Sequence, residues 1–151
     1  MDDIKSDEEI IEFAISREVE ARNFFLAVAS RVQDEQIRDV LQQFADEELE
    51  HKALLELEIM KSGKTVSSEE KPARSVSEYI ISNSDSELEM SLQDALLLAI
   101  EKEDASFRIY INLLSRVNDE HSREILLRLA EEEIKHKLRF QREYNRLIKN
   151  T

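Results

Sequence analysis

Apolar residues recur at alternating steps of three and four along four segments of the chain, and ionisable residues interrupt each row near its centre. Such spacing places the side chains of a row on one face of an α-helix. We therefore predict four helices, over about residues 7–31, 35–61, 92–116 and 120–148. The four inward-facing rows are Ile11, Ala14, Glu18, Ala21, Phe25, Val28, Val32; Ile37, Leu41, Phe44, Glu48, His51, Leu55; Leu96, Ala99, Glu103, Ser106, Tyr110, Leu113, Val117; and Leu126, Leu129, Glu133, His136, Phe140.

Two of the predicted helices begin with capping residues. Ser6 precedes the first helix with Glu9 three positions later, and Ser91 precedes the third with Asp94. A serine followed by an acid at this spacing satisfies backbone N–H groups that the first helical turn leaves free. The turns near residues 33–34 and 118–119 are short, so each pair of consecutive helices should form an antiparallel hairpin.

The two hairpins are copies of one another. Residues 14–52 align with residues 99–137 without a gap, and the pairs include Ala14 with Ala99, Glu18 with Glu103, and His51 with His136. Two copies of this length do not make a solenoid. Duplication of one helical hairpin is the simpler interpretation.

Residues 62–90 differ in composition from the helices, with Gly63, Pro72 and many serines. A helix of 25 residues is about 38 Å long, and about 12 extended residues reach that far. The segment is therefore long enough to cross the whole bundle, with residues left for a short helix near residues 75–80. It would also allow two chains to exchange hairpins.

We therefore predict an all-α, four-helix bundle made of two duplicated antiparallel hairpins. The hairpins, about residues 6–61 and 91–148, are joined by a long crossover over residues 62–90 within a single domain, residues 1–151. A homodimer, with or without exchanged hairpins, is the expected assembly.

The composition excludes several classes of function. The 34 acidic and 21 basic residues give a formal net charge of −13, which argues against nucleic acids and anionic membranes as partners. Because the sequence has no cysteine, a disulfide framework and a Cys-based metal site are excluded. No secretory signal is visible, and the longest apolar run, residues 95–100, is too short to span a bilayer. We expect a cytoplasmic protein.

The ionisable residues within the apolar rows are Glu18, Glu48, His51, Glu103, Glu133 and His136. Within each hairpin the two glutamates are equally far from the turn, so they lie at one level of the antiparallel pair. Each histidine follows a glutamate by three positions and shares its helix face. Four carboxylates and two imidazoles should therefore meet in one layer within the bundle.

Metal binding is the explanation that we favour for this layer. Buried carboxylates without partners cost several kcal/mol and repel one another, whereas two divalent cations would balance four negative charges. Oxygen and imidazole ligands suit iron, manganese or zinc. One Glu from each of two helices plus Glu-x-x-His from the other two is the ligand set of ferritin-like di-iron and di-manganese proteins. A metal-free helical interaction module is the alternative.

Three further residues, His121, Phe25 and Tyr110, were considered beside the six candidate ligands. His121 aligns with Gln36 beside a turn, and we interpret it as an exposed side chain. Phe25 and Tyr110 lie about two helical turns from the level of Glu18 and Glu103. Core packing would explain both aromatic residues. The alternative for Tyr110 is a hydrogen bond from its hydroxyl to a metal-binding carboxylate.

At these positions the chain resembles the rubrerythrin family. Residues 18–23, EVEARN, are similar to the first-helix motif of the family, and residues 48–51 and 133–136, ELEH and EIKH, are similar to its metal-binding pairs. The resemblance covers all four helices but not residues 62–90. It implies a ferritin-like helix order with a long crossover, peroxide reduction as the typical activity, and dimers or larger assemblies. It also implies two iron ions bridged by Glu48 and Glu133 and capped by Glu18, Glu103, His51 and His136.

Two departures from the family matter. Rubrerythrins proper carry a rubredoxin domain whose four cysteines deliver electrons, whereas this sequence has no cysteine and ends at Thr151. They also carry a further glutamate one turn past the ligand of the third helix. That position is Ser106 here, and its repeat mate is Ala21. Without the extra glutamate, we expect a site close to two-fold symmetric.

The favoured function is a non-haem di-iron oxidoreductase that reduces hydrogen peroxide or oxygen with an external electron donor, such as a rubredoxin-like protein. Manganese or zinc could replace the iron. The small residues Ala21 and Ser106 would leave room for a diatomic ligand. The alternative is an iron-handling protein that oxidises Fe(II) and stores or passes on Fe(III). Peroxide turnover would favour the first function, and mineral accumulation in a large assembly would favour the second.

Overall fold

The computed structural model describes residues 6–61 and 89–149. The described residues form four α-helices: α1, Asp7–Ala29; α2, Glu35–Lys61; α3, Leu92–Leu114; and α4, Glu120–Lys149. The predicted all-α fold is confirmed. The predicted crossover, its short helix and its exchange between chains concern residues 62–90, of which all but the last two lie outside the described residues.

The predicted helix bounds are accurate for α2 and differ slightly elsewhere. α1 and α3 each end two residues earlier than expected, at Ala29 and Leu114. At both ends the helical hydrogen bonding tightens, because the backbone N–H of Arg31 donates to the carbonyl of Val28 and that of Arg116 to Leu113, each three residues back at 3.0 Å. Such tighter bonding is common in the last turn of a helix.

The helix starts are capped as the sequence predicts for α1 and α3. The Ser6 hydroxyl accepts from the backbone N–H of Glu9, and the Glu9 carboxylate accepts from the backbone N–H of Ser6, both at 3.1 Å. Ser91 caps α3 by accepting from the backbone N–H of Asp94 at 3.0 Å. This arrangement fixes where each hairpin begins.

The two hairpin turns repeat the same chemistry. Asp34 accepts from the backbone N–H of Ile37 at 2.9 Å, and Asp119 accepts from the backbone N–H of Ser122 at 2.8 Å. The guanidinium groups of Arg38 and Arg123 reach back to the carbonyls of Val32 and Val117. The duplicated residues therefore build duplicated turns.

Contacts between the hairpins define the helix order. The backbone N–H of Met90, at the start of α3, donates to the carbonyl of Arg31 at 2.8 Å, just past the end of α1. At the opposite end, the Asp7 carboxylate accepts from the backbone N–H groups of Asn118 and Asp119 at 2.9 and 2.7 Å. α1 and α3 are therefore antiparallel, and α2 ends at the opposite end of the bundle from the start of α3.

The core consists of two apolar clusters, one at each end of the bundle. One cluster lies towards the α1–α2 turn and includes Phe25, Leu41 and Phe140, while the other includes Leu55 and Leu126. Each such fully buried side chain contributes about 1.5–3 kcal/mol. The layer of ionisable residues lies between the clusters. Among the described helices, none carries an apolar stretch sufficient to cross a membrane.

Replacing Ser6 by alanine should lower the free energy of unfolding by about 1 kcal/mol, because the capping box at the start of α1 is lost. Ser16→Ala is the matched control within α1, and it should have almost no effect because alanine favours the helix interior. Urea denaturation followed by circular dichroism measures both. Equal effects from the two substitutions would show that Ser6 does not stabilise the helix start.

Candidate metal centre

The structure brings all six candidate ligands into one buried layer, as the sequence predicts. The four helices each contribute one glutamate, and α2 and α4 add one histidine each. The exposed fractions are Glu18 2%, Glu48 0%, His51 7%, Glu103 0%, Glu133 1% and His136 2%. Such burial is unusual for carboxylates and requires a compensating partner.

The six residues form two overlapping groups. One group contains Glu18, Glu48, His51 and Glu133, and the other contains Glu48, Glu103, Glu133 and His136. In each group the donor atoms lie within 4.8 Å of one another. Glu48 and Glu133 belong to both, which is the placement of bridging ligands. Their role as ligands remains a prediction.

Both histidines face the layer with the same ring nitrogen. His51 Nδ1 lies 3.2 Å from Glu48 Oε1 and 3.5 Å from Glu18 Oε1. His136 Nδ1 lies 2.8 Å from Glu103 Oε2, and the two imidazole rings are 6.3 Å apart and nearly parallel. Phe44 stacks on the His136 ring at 3.9 Å and holds its plane. The two Nδ1 atoms therefore face the carboxylates of the two neighbouring groups, one nitrogen in each group.

The electrostatics of the layer call for positive charge. Burial and the nearby charge of Glu48 raise the pKa of Glu18 to about 8. Burial, followed by the charge of Glu103, also raises the pKa of Glu133 well above its usual value. Burial alone would lower the pKa of His51, but the adjacent carboxylates of Glu18 and Glu48 raise it to about 10. Without metal, protons must supply the charge that the carboxylates need.

The donor set fits two metal ions. Four buried oxygens in the layer have no hydrogen-bond partner: Glu18 Oε1, Glu48 Oε2, Glu103 Oε1 and Glu133 Oε1. Buried unsatisfied carboxylate oxygens are costly, and a bound cation removes that cost. Carboxylate oxygen together with imidazole nitrogen suits iron, manganese and zinc. The residues therefore fit a two-ion centre, and the donor chemistry alone does not select among these metals.

Tyr110 contacts the centre directly. Its hydroxyl donates a hydrogen bond to Glu18 Oε2, so the alternative of a hydroxyl–carboxylate contact is confirmed over core packing alone. Burial and the charge of Glu18 raise the pKa of Tyr110 well above its usual value, which keeps the hydroxyl protonated as a donor. The repeat mate of Tyr110 is Phe25, which packs 5.9 Å from the Phe140 ring and has no hydroxyl to offer.

Glu47 contacts the layer, although the sequence analysis does not single it out. Its Oε1 lies 2.6 Å from His136 Nε2, the ring nitrogen that faces away from the layer. This hydrogen bond lowers the pKa of Glu47, so the carboxylate is ionised and accepts from the imidazole. Carboxylates commonly orient metal-binding histidines in this way. The internal repeat could have indicated Glu47, because it places another acid, Glu132, at the matching position of the second hairpin.

The six candidate ligands form two groups of matching composition, but the surroundings of the two groups differ, and the two-fold symmetry of the metal site itself stays a prediction. Tyr110 and Glu47 contact different groups, and neither contact is repeated by its mate in the other hairpin. Ala21 and Ser106 are both buried, at 2% and 6% exposed. His121 is exposed as predicted, although its Nδ1 lies 2.7 Å from Glu58 Oε1 at the end of the bundle.

The helix order and the Glu/His layer together define a ferritin-like four-helix protein with a candidate carboxylate–histidine metal centre. The chain belongs to the rubrerythrin family, because the model of that family matches residues 9–144. The resemblance noted from the sequence is thereby confirmed. A search of curated protein sequences found no match.

Solved structures support the same fold. A hypothetical protein from Pyrococcus furiosus is 25% identical with a TM-score of 0.70, over 95% of this chain and 91% of that one. A bacterioferritin from Desulfovibrio desulfuricans, described as having a di-iron site, is 16% identical with a TM-score of 0.74, over 95% and 80% of the two chains. A manganese catalase from Anabaena is 17% identical with a TM-score of 0.70, over 97% and 75%.

The metal-free protein should lose stability as the pH rises from 5 to 8. The folded pKa of Glu18, about 8, exceeds the ordinary value of 4.5, so its contribution is complete below pH 4.5 and is lost as the pH rises through 8. The histidines, with pKa values near 10, act in the same direction between pH 6.5 and 10. Thermal unfolding of the metal-free protein from pH 5 to 8 measures the trend. Glu18→Gln should make the trend shallower without removing it, and a melting temperature that does not change with pH would contradict the prediction.

Tyr110→Phe should weaken binding of one metal ion about tenfold, because the lost hydroxyl orients Glu18 in only one of the two groups. Stepwise titration with Co(II), followed by absorbance, measures both binding constants. Tyr144→Phe, at a partly buried tyrosine of α4 outside the layer, is the matched control. Weakening of both ions to the same extent would show that Tyr110 does not act through Glu18.

Proposed function

We propose that the protein is a non-haem di-iron oxidoreductase of rubrerythrin type that reduces hydrogen peroxide or oxygen with electrons from an external donor. The observation that carries the proposal is the pair of four-residue groups sharing Glu48 and Glu133. Reduction of peroxide to two molecules of water consumes two electrons and two protons. Two iron ions held side by side would supply both electrons, one from each Fe(II).

Each residue of the layer has a distinct role in this proposal. Glu48 and Glu133 would bridge the two ions, while Glu18 and Glu103 would each bind one ion. His51 and His136 would bind through Nδ1, the nitrogen that faces the carboxylates. The four carboxylates carry four negative charges, which two Fe(II) ions would balance. The apolar clusters on both sides keep bulk water out of the layer.

Iron is the metal that we propose, with manganese or zinc as substitutes. Membership of the rubrerythrin family supports iron, as does the di-iron site named for the bacterioferritin of the same fold. Manganese is included as a substitute because one protein of the same fold is a manganese catalase. Ala21 and Ser106, both small and buried, favour a diatomic oxidant over a larger substrate.

The electrons would come from a separate protein. These 151 residues contain no cysteine with which to hold a Cys-bound iron centre of the rubredoxin kind, which supports an external donor as the proposed source of electrons. A rubredoxin-like donor would complete the reaction, and a homodimer is the assembly that we propose.

A second function, iron handling, is favoured by one specific observation. Glu47 and Glu132 lie with His136 in a third group whose donor atoms are within 4.8 Å of one another, on the outer side of the layer. Both glutamates are partly exposed. A cation held there would adjoin the buried centre, as passage of iron into or out of that centre requires.

The purified protein, reconstituted with Fe(II) without oxygen, should bind close to two ions per chain. Glu48→Ala combined with Glu133→Ala should lose both ions, because each residue contributes to both groups. Glu50→Ala combined with Glu131→Ala is the control, since both residues are exposed on the same two helices. Two ions retained by the first double variant would rule out the site as described.

The iron-loaded protein should consume peroxide over many turnovers when a reduced rubredoxin-like donor is present. The Glu48/Glu133 double variant should lose this activity with its metal. Peroxide consumption can be followed as oxidation of the donor. Accumulation of an iron mineral in a large assembly, without sustained turnover, would instead establish the iron-handling function.

A further inference from the structure

Two hydrogen bonds reach the six candidate ligands from residues outside them, and they have opposite polarity. Glu47 of α2 accepts from Nε2 of His136, with 2.6 Å between the two atoms, whereas the hydroxyl of Tyr110 in α3 donates to Oε2 of Glu18. His136 belongs to the group with Glu103, here called the Glu103 group, and Glu18 belongs to the other, called the Glu18 group. Each group therefore has one ligand that is tuned from outside.

His136 is held in one orientation. Its Nδ1 lies 2.8 Å from Glu103 Oε2, and its opposite nitrogen faces Glu47. The ring of Phe44 stacks on the imidazole, with 3.9 Å between the ring centroids and 12° between the planes. A metal ion bound at Nδ1 leaves the ring proton on Nε2, and Glu47 is placed to accept that proton in a hydrogen bond.

Negative charge is concentrated on the outer side of this imidazole. Glu47 keeps 29% of its side chain exposed, and a carboxylate in contact with water is ionised at neutral pH. Glu132 of α4 brings a second carboxylate, because one of its oxygens, a Glu47 oxygen and a His136 nitrogen lie within 4.8 Å of one another. Such an acceptor makes a metal-binding imidazole more basic. A more basic ligand stabilises Fe(III) relative to Fe(II), because it gives more electron density to the ion of higher charge.

The hydroxyl of Tyr110 has the opposite effect on its carboxylate. Tyr110 and Glu18 are each only 2% exposed, so the hydrogen bond between them is shielded from water and is electrostatically stronger. It draws electron density from Glu18 through Oε2, while Oε1 has no hydrogen-bond partner among the described residues and can face a metal ion. A carboxylate that accepts a hydrogen bond is a weaker donor, and weaker donation favours Fe(II) over Fe(III).

We propose that Glu47 and Tyr110 set the two ions of the centre at different reduction potentials, so that the ion in the Glu103 group is oxidised first. Glu47 lowers the potential of that ion through His136, and Tyr110 raises the potential of the other ion through Glu18. Both are positioning residues, because each acts through a ligand. This inference rests on the proposed di-iron centre and adds an order to the loss of its two electrons.

An ordered loss of electrons suits an external donor that delivers them one at a time. Each ion changes from Fe(II) to Fe(III) with the loss of one electron, and hydrogen peroxide accepts both electrons with two protons to give two molecules of water. Two electrons from the donor return the pair to Fe(II). The ion in the Glu18 group has the higher potential and receives the first of them, so the half-reduced pair has its Fe(III) in the Glu103 group.

The yield of the half-oxidised pair measures the difference between the two potentials. The iron-loaded protein is titrated with ferricyanide, a one-electron oxidant, in the absence of oxygen. Electron paramagnetic resonance quantifies the Fe(II)Fe(III) pair, which has half-integer spin. The equilibrium constant for forming two such pairs from one diferrous and one diferric pair rises tenfold for about 59 mV of separation. Iron content is determined first, and only proteins that hold two ions are compared.

Glu47→Gln keeps a hydrogen-bond acceptor beside His136 but removes its charge, and it should lower this equilibrium constant about tenfold. Tyr110→Phe should lower the constant to a similar extent, because Glu18 becomes a stronger donor to its own ion. Glu50→Gln is the matched control for the lost charge, since Glu50 is an exposed acid of the same helix. It should leave the constant within about a factor of two, because solvent and salt screen its charge.

Glu132→Gln keeps the inference testable if Glu47→Gln does not hold two ions. This substitution removes one charge from the outer side of His136 and leaves the hydrogen bond from Nε2 to Glu47 in place. It should lower the equilibrium constant about two- to threefold, because the lost charge is partly exposed and acts at a longer distance. No decrease in Glu132→Gln would count against the inference.

The direction of each change decides the outcome. Lower constants in Glu47→Gln and in Tyr110→Phe, with the control unchanged, support the proposed order of oxidation. A constant that is unchanged or higher in either variant, in protein that holds two ions, overturns the order and leaves the di-iron centre standing. If the unsubstituted protein binds no iron, the centre itself is refuted, and the inference with it.

Discussion

The burial of four carboxylates in one layer is the constraint on which the rest of this structure depends. Desolvation and mutual repulsion make the layer costly unless positive charge is present. Two imidazoles supply part of that charge, but four carboxylate oxygens of the layer still have no hydrogen-bond partner in the protein. The apolar clusters on either side could have been one continuous core, and their separation by charged groups has no packing benefit. The layer is therefore best understood as a place for cations.

Most of the fold and the six candidate ligands could be predicted because they depend on periodicity within single helices. Glu18 stands in an apolar row, and equal distances from the turns place it level with Glu48. Tyr110 and Glu47 could not be assigned in the same way. Their contacts join different helices, at Glu18 and at His136, and depend on rotation and spacing between helices that one-dimensional patterns do not contain.

Duplication explains why the inner layer is symmetric and its surroundings are not. Each hairpin supplies corresponding glutamates and a corresponding histidine to the shared layer. Residues that face outward have neighbours only on their own side of the bundle, so the two copies can differ there. Asp104 and Lys137 join α3 to α4, whereas the first hairpin carries Val19 at the position that matches Asp104. The internal repeat is most informative where its two copies disagree.

The duplicated turns have a consequence for the order in which the molecule folds. Asp34 with Arg38, and Asp119 with Arg123, stabilise each turn through contacts only a few residues apart in the chain. Local contacts form quickly, so each hairpin is able to form before it meets the other. Docking of the hairpins is then the step that gathers the carboxylates. The electrostatic cost falls on that step, and cations or protons that bind the assembled layer make it more favourable.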